Sequence, residues 1–154
     1  MSSGRRGWAG AAALASAVLA GCVSHPVGPA RTFDTYEDKA VTTAQAALSA
    51  VSTTMLAADV GTDGGAWGTY LSVVISEQED NISTVQSTFA SVQPPDTRAD
   101  ALRQQLDDIL TPAVAHVTDV RITVRRGRLN ELAAVAAPLS GDQTRLRAFL
   151  ADHQ

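Results

Sequence analysis

The chain holds one thiol, Cys22, and it stands directly behind Leu19, Ala20 and Gly21. A thiol is the side chain most readily S-alkylated under mild conditions, and the small Ala20 and Gly21 leave the preceding peptide bond open to a protease. With no second cysteine, the chain can form neither an internal disulfide nor a multi-thiolate metal site. His116 and Met55 are the next residues whose types suggest chemistry. Each falls on an apolar helical seam about twenty residues above the start of its helix, which puts the two at one level for a rise of ~1.5 Å per residue. Histidine and methionine are axial ligands of haem, so the alternative reading of this chain is a haem or small-ligand carrier with its site in the bundle core. A haem needs a wide apolar pocket, however, and a lone seam histidine is more often bonded to a neighbour such as Asp119 or Thr123. The expectation is therefore no cofactor and no metal.

Other chemistry finds little support. None of Glu37, Glu77, Glu79 and Glu131 is followed three residues later by histidine, so the repeated Glu-x-x-His motif of a di-metal carboxylate site is missing. Glu77, Asp80 and Asn81 share a helix face and read as its solvated side. "DVGTDG" from Asp59 matches part of a calcium loop, but Gly61 fills an acidic ligand position and Tyr70 stands where the closing glutamate belongs. There is no Gly-x-Ser-x-Gly, His-Glu-x-x-His or glycine-rich phosphate loop. The sequence reads as non-enzymatic.

Around Cys22 the chain is laid out as an export signal. Arg5 and Arg6 form a positive n-region, an apolar run extends from Trp8 to Ala20, and small residues precede the thiol. A run of thirteen residues is too short to cross ~30 Å of hydrocarbon. Leu19-Ala20-Gly21-Cys22 resembles the lipobox of bacterial prolipoproteins. That resemblance implies signal peptidase II recognition through Leu19, Ala20 and Gly21, a diacylglyceryl group on the Cys22 sulfur, and cleavage before Cys22. The mature protein would then sit on the extracytoplasmic face of the cell membrane, held by lipid rather than spanning it, since two acyl chains at ~0.8 kcal/mol per methylene anchor stably. In its arginine-rich, alanine-rich composition the whole resembles the small helical lipoproteins of actinobacteria.

The expected organisation is a signal peptide over 1–21, a flexible lipidated tether over 22–33 with Pro26, Gly28 and Pro29, and a helical domain over 34–154. From Cys22 onward ten basic residues face sixteen acids, a net charge of −6. A nucleic-acid partner is excluded on that ground, because neutralising phosphates needs a basic excess.

The elements that must position these residues follow from apolar spacing. Val41, Ala44, Leu48, Val51, Met55 and Ala58 alternate steps of 3 and 4, as do Leu71, Ile75, Gln78, Ile82, Val85, Phe89 and Val92. Leu102, Leu106, Ile109, Ala113, His116 and Val120 continue the pattern, and so do Leu129, Leu132, Ala136, Leu139, Gln143, Leu146 and Leu150. "YLSVVIS" alone would pass for a strand, but its phase holds for more than twenty residues and favours helix. Expected caps are Asp34 with Glu37, Thr97 with Asp100, and Ser140 with Gln143. Pro112 should kink the third helix, while Pro138 and Gly141 should kink or split the fourth. The fold class is all-α, an up-down-up-down four-helix bundle.

In that topology the 1–2 loop and the 3–4 turn share the end away from the tether. Arg121, Arg125, Arg126 and Arg128 are expected there beside Asp59, Asp63 and Trp67, a candidate surface for an envelope protein or an anionic wall polymer. The opposite end should collect Asp34, Glu37, Asp38, Asp96 and Asp100.

Overall fold

A computed structural model of the chain describes residues 29–64 and 67–153. The signal-peptide motif, Cys22 and most of the tether lie outside the described residues.

Four helical arms alternate in direction. Helix α1 runs Phe33–Thr62, α2 Gly68–Ala90 and α3 Thr97–Arg125; the fourth arm is a 3-10 turn Leu129–Glu131, a short α4 Leu132–Ala136 and a longer α5 Leu139–His153. No strand occurs among the described residues. The bundle expected from the spacing is the observed fold, and the fourth arm breaks at Ala137 and Pro138, where a proline follows a helix end that it cannot continue.

Helix α1 is the spine. Its buried positions include Ala40, Ala44, Ala47, Ala50, Ala58 and Gly61, and side chains this small let neighbours come close. In consequence α1 packs against α2, α4 and α5 at its sides and against α3 across the diagonal, whereas α2 and the fourth arm have no comparable diagonal contact. The bulk of the core comes from the other arms: Leu71, Ile75, Ile82 and Phe89 from α2, Leu106 and Leu110 from α3, and Leu132, Leu139, Leu146 and Phe149 from the fourth arm. Among the described residues the buried hydrophobic side chains run from Ala30 to Leu150 and form one continuous core. Buried Thr43 and Thr54 are accommodated by donating to carbonyls one turn back, those of Lys39 and Ala50, at 2.8 and 2.9 Å.

Several local expectations are corrected. The first helix is capped by Thr32, whose hydroxyl accepts from Thr35 N–H, not by Asp34. Ala30 is buried, three residues ahead of the first helical residue, Phe33. Asp96, not Thr97, caps α3, its Oδ1 accepting from Ala99 N–H at 2.8 Å. Ser140 lies inside α5 and donates to Ala137 O, while Gln143 reaches across to Ser52. Pro112 lies inside helix α3, which continues past it to Arg125 as the spacing requires. Its end is set by Gly127 at φ +69, with Arg128 N–H donating to Thr123 O and Gly127 N–H to Val124 O, a Schellman closure that a left-handed glycine permits.

Candidate functional site

Three places in the bundle bring chemically able side chains together. The most enclosed is at the start of α5. Asp142 is fully buried in the first turn of that helix, where the positive end of the helix dipole favours an anion. Its Oδ2 lies 2.6 Å from His116 Nδ1, and its Oδ1 accepts from Arg145 at 2.5 Å. A carboxylate accepts, so Nδ1 carries the proton and Nε2 is left turned away from Asp142. The neighbouring Gln143 faces α1, donating to Ser52 Oγ at 2.9 Å. Residues 142 and 143 thus tie the last helix to α3 on one side and α1 on the other.

His116 therefore bonds to Asp142 rather than to Asp119 or Thr123. Met55 stands one turn beyond Ser52, on the α1 side, and is partly buried. Of the candidate pair, His116 is bonded to the final helix, through Asp142. What the arrangement supplies chemically is an oriented imidazole, the carboxylate–histidine pairing that elsewhere steers a metal ligand or a base. Among the described residues no group of three His, Cys, Asp or Glu side chains is placed to hold a metal ion.

At the end of the bundle where α1 begins, a second cluster mixes rings and ions. His153 Nδ1 is 2.9 Å from Glu37 and its ring stacks at 4.5 Å on Phe149; Tyr36 packs at 5.1 Å on Phe89; Arg98 covers the Phe33 ring at 3.6 Å; and Arg103 donates to Ala90 O at 2.9 Å. The acids expected at this end are consequently joined by His153, Arg98 and Arg103, so it is a mixed surface rather than a purely acidic one. Burial pushes the Tyr36 phenol above its ordinary 10.0; Arg103 pulls it back, and Asp100 and Asp107 add to the rise.

The third place is the far end. Of the four candidate arginines, Arg121 is paired with Glu79 on α2 and Arg128 with Glu131 in its own turn, while Arg125 and Arg126 are exposed. Asp59 and Asp63 are thus not the partners of Arg121 and Arg128. Trp67 is 85% exposed, and with it are Leu56 at 64%, Val60 at 39%, Tyr70 at 65% and Val73 at 59%. Every large exposed hydrophobic residue of the described chain thus falls in one stretch of eighteen residues around the α1–α2 turn. Of these five, only Trp67 was singled out for this surface from the sequence, by its place in the 1–2 loop. The signal for the rest was apolar residues out of phase, Leu56 one place after Met55 and Val73 two after Leu71. Asp142 was missed because the seam was drawn through Gln143, although Leu139, Asp142 and Leu146 keep the same 3-4 spacing.

No helix of the described residues is long and apolar enough to cross a membrane. Comparison with models of protein families, with curated proteins and with solved structures gives no match.

Proposed function

We propose that this chain is a lipid-anchored protein of the extracytoplasmic face of a bacterial cell membrane, and that it works by holding another envelope protein rather than by catalysis. The anchor rests on the residues before the body: the positive start, the short apolar run and Leu19-Ala20-Gly21-Cys22. The observation that carries the binding role is the gathering of Leu56, Val60, Trp67, Tyr70 and Val73 on the surface at the end of the bundle away from the tether. Such clusters on a soluble body mark interaction sites. Tryptophan and tyrosine contribute disproportionately to interfaces, whereas single exposed apolar residues need no explanation.

Two measurements test the two halves separately. Fatty-acid labelling followed by membrane fractionation should find the label on the wild type and lose both label and membrane retention in Cys22→Ser; a Cys22→Ser protein that is still processed and retained refutes the anchor. A photo-crosslinker placed at Tyr70 in cells should trap one discrete partner, whereas one placed at Asp38, on the exposed face near the tether, should not. Equal, diffuse trapping at both positions would make the bundle a spacer.

A further inference from the structure

The contact between α1 and α2 fixes how the exposed apolar residues are arranged. A Cβ on Gly61 would lie 2.7 Å from Leu71 Cδ1, so these two residues face each other across the hairpin. Val60 and Tyr70 each come one residue earlier. In antiparallel helices that step turns both side chains to the same side of the hairpin, its outer face, and both are exposed. Leu56 lies one turn before Val60 on α1; Val73 lies one turn after Tyr70 on α2, and Trp67 is the residue that caps the start of α2, three before Tyr70. The five make a two-rowed apolar surface flanking the shallow furrow between α1 and α2.

The charges around it are all of one sign. From Ala40 to Thr97 the chain contains no Lys, Arg or His, while Asp59, Asp63, Glu77, Glu79 and Asp80 fall in that stretch. Glu79 is taken by Arg121. Asp59, Asp63, Glu77 and Asp80 are exposed, and none is in an ion pair with another described residue. Asp59 and Asp63 flank the apolar surface on α1; Glu77 and Asp80 continue the Val73 face along α2 at steps of 4 and 3. The exposed Arg125 and Arg126 stand at the C-terminal end of α3, which lies along the flank of α2 that carries Glu79 and Gln86.

We infer that this face docks a cationic amphipathic helix of another protein, its apolar stripe on Leu56, Val60, Trp67, Tyr70 and Val73 and its Lys or Arg residues against Asp59, Asp63, Glu77 and Asp80. The acid rim selects this occupant. A second copy brought face to face would set the same four acids against each other, and anionic lipid would be repelled by them. From Trp67 to Asp80 the face spans ~20 Å at ~1.5 Å per residue, close to four turns of a partner helix. A helix laid on an apolar furrow is an established mode of recognition. The inference rests on the binding-module reading but not on the lipid anchor.

The test uses residues 22–154 with Cys22→Ser, which contain every buried hydrophobic residue among those described and in which Trp67 is the sole tryptophan. The probe is an 18-residue amphipathic peptide of Leu and Lys; the control carries Glu in place of Lys. The Lys peptide should bind saturably, one to one, with a blue shift of Trp67 emission, and the Glu peptide should not. Tyr70→Ser with Val73→Ser should weaken binding at least tenfold. Glu77→Gln with Asp80→Asn should weaken it about fivefold, and Asp34→Asn with Asp38→Asn, at the other end, should change it less than twofold. Binding insensitive to the first two pairs overturns the inference. So does a Trp67 shift produced by protein concentration alone, which would identify a second copy, or by anionic vesicles as strongly as by the peptide, which would identify lipid. None of these outcomes bears on Cys22 acylation, which the labelling experiment reads independently.

Discussion

Tyr36 carries its hydroxyl into the core, where it has no hydrogen-bond partner among the described residues. An unsatisfied buried hydroxyl costs ~1–3 kcal/mol, so Tyr36→Phe keeps the ring packing on Phe89 and should raise stability by about 1 kcal/mol in urea unfolding. The same change should alter the alkaline limb. Because the folded state holds this phenol above its ordinary 10.0, its contribution is fully present below pH ~10 and is lost as pH rises through the raised folded value. Wild type should therefore lose stability above pH ~10 more steeply than Tyr36→Phe, which two thermal-melt series would show. Asp142 has the opposite character. Replacing it by Ala strips a partner from largely buried His116, while Arg145, about half exposed, can return to water. The cost should be at the low end of the ~3–5 kcal/mol for breaking a buried pair, whereas Arg145→Gln should cost under ~1 kcal/mol. Chemical denaturation distinguishes them. The histidine was visible in the sequence as a polar break in a seam, but its partner was not, because a bond between residues 116 and 142 depends on the azimuth of two helices rather than on any local spacing.

At the level of elements, glycines at Gly61 and Gly141 predict opposite outcomes for the same substitution. A Cβ at Gly61 would press into Leu71 at 2.7 Å and Leu132 at 2.8 Å, both flexible side-chain ends that must give way. Overpacking of this kind costs ~1–3 kcal/mol, partly offset by the ~1 kcal/mol that Ala gains over Gly in a helix. Gly61→Ala should be neutral to about 2 kcal/mol destabilising. Gly141 has nothing within 4 Å of the same position and no left-handed backbone, so Gly141→Ala should stabilise by ~0.5–1 kcal/mol. A melting-temperature comparison reads both. Apolar spacing was enough to place all four arms, since each seam repeats over many turns and its signal accumulates, while the break in the fourth arm was legible from Pro138, because the seam itself runs through it in phase. The caps were each misplaced by a residue or two for the converse reason. "RTFDT" and "PPDTRAD" each offer Thr and Asp within two residues of one another, both residue types cap helices well, and spacing alone does not choose between them.

For the whole molecule, the fourth arm is what turns a three-helix sheet of contacts into an enclosed core. It supplies Leu132, Leu139, Leu146, Phe149 and Leu150 and reaches α1 through His153 and Gln143, and α3 through Asp142. A chain ending at Arg126 should therefore lose its cooperative thermal transition by circular dichroism, whereas removing Asp152 to Gln154 should leave the transition cooperative and only lower its midpoint by the loss of the Glu37 contact. The arrangement of α1 also sets how the body would carry tension. The described chain enters at Pro29, at one end of α1, and the apolar surface lies at the other, some 45 Å away along a single 30-residue helix. A pull between the entering chain and anything held at the hairpin turn runs down the axis of that one helix. It loads hydrogen bonds in series along α1 and leaves the lateral packing of the other arms outside the line of force, so the bundle would behave as a strut jacketed by its neighbours rather than as a stack that peels apart.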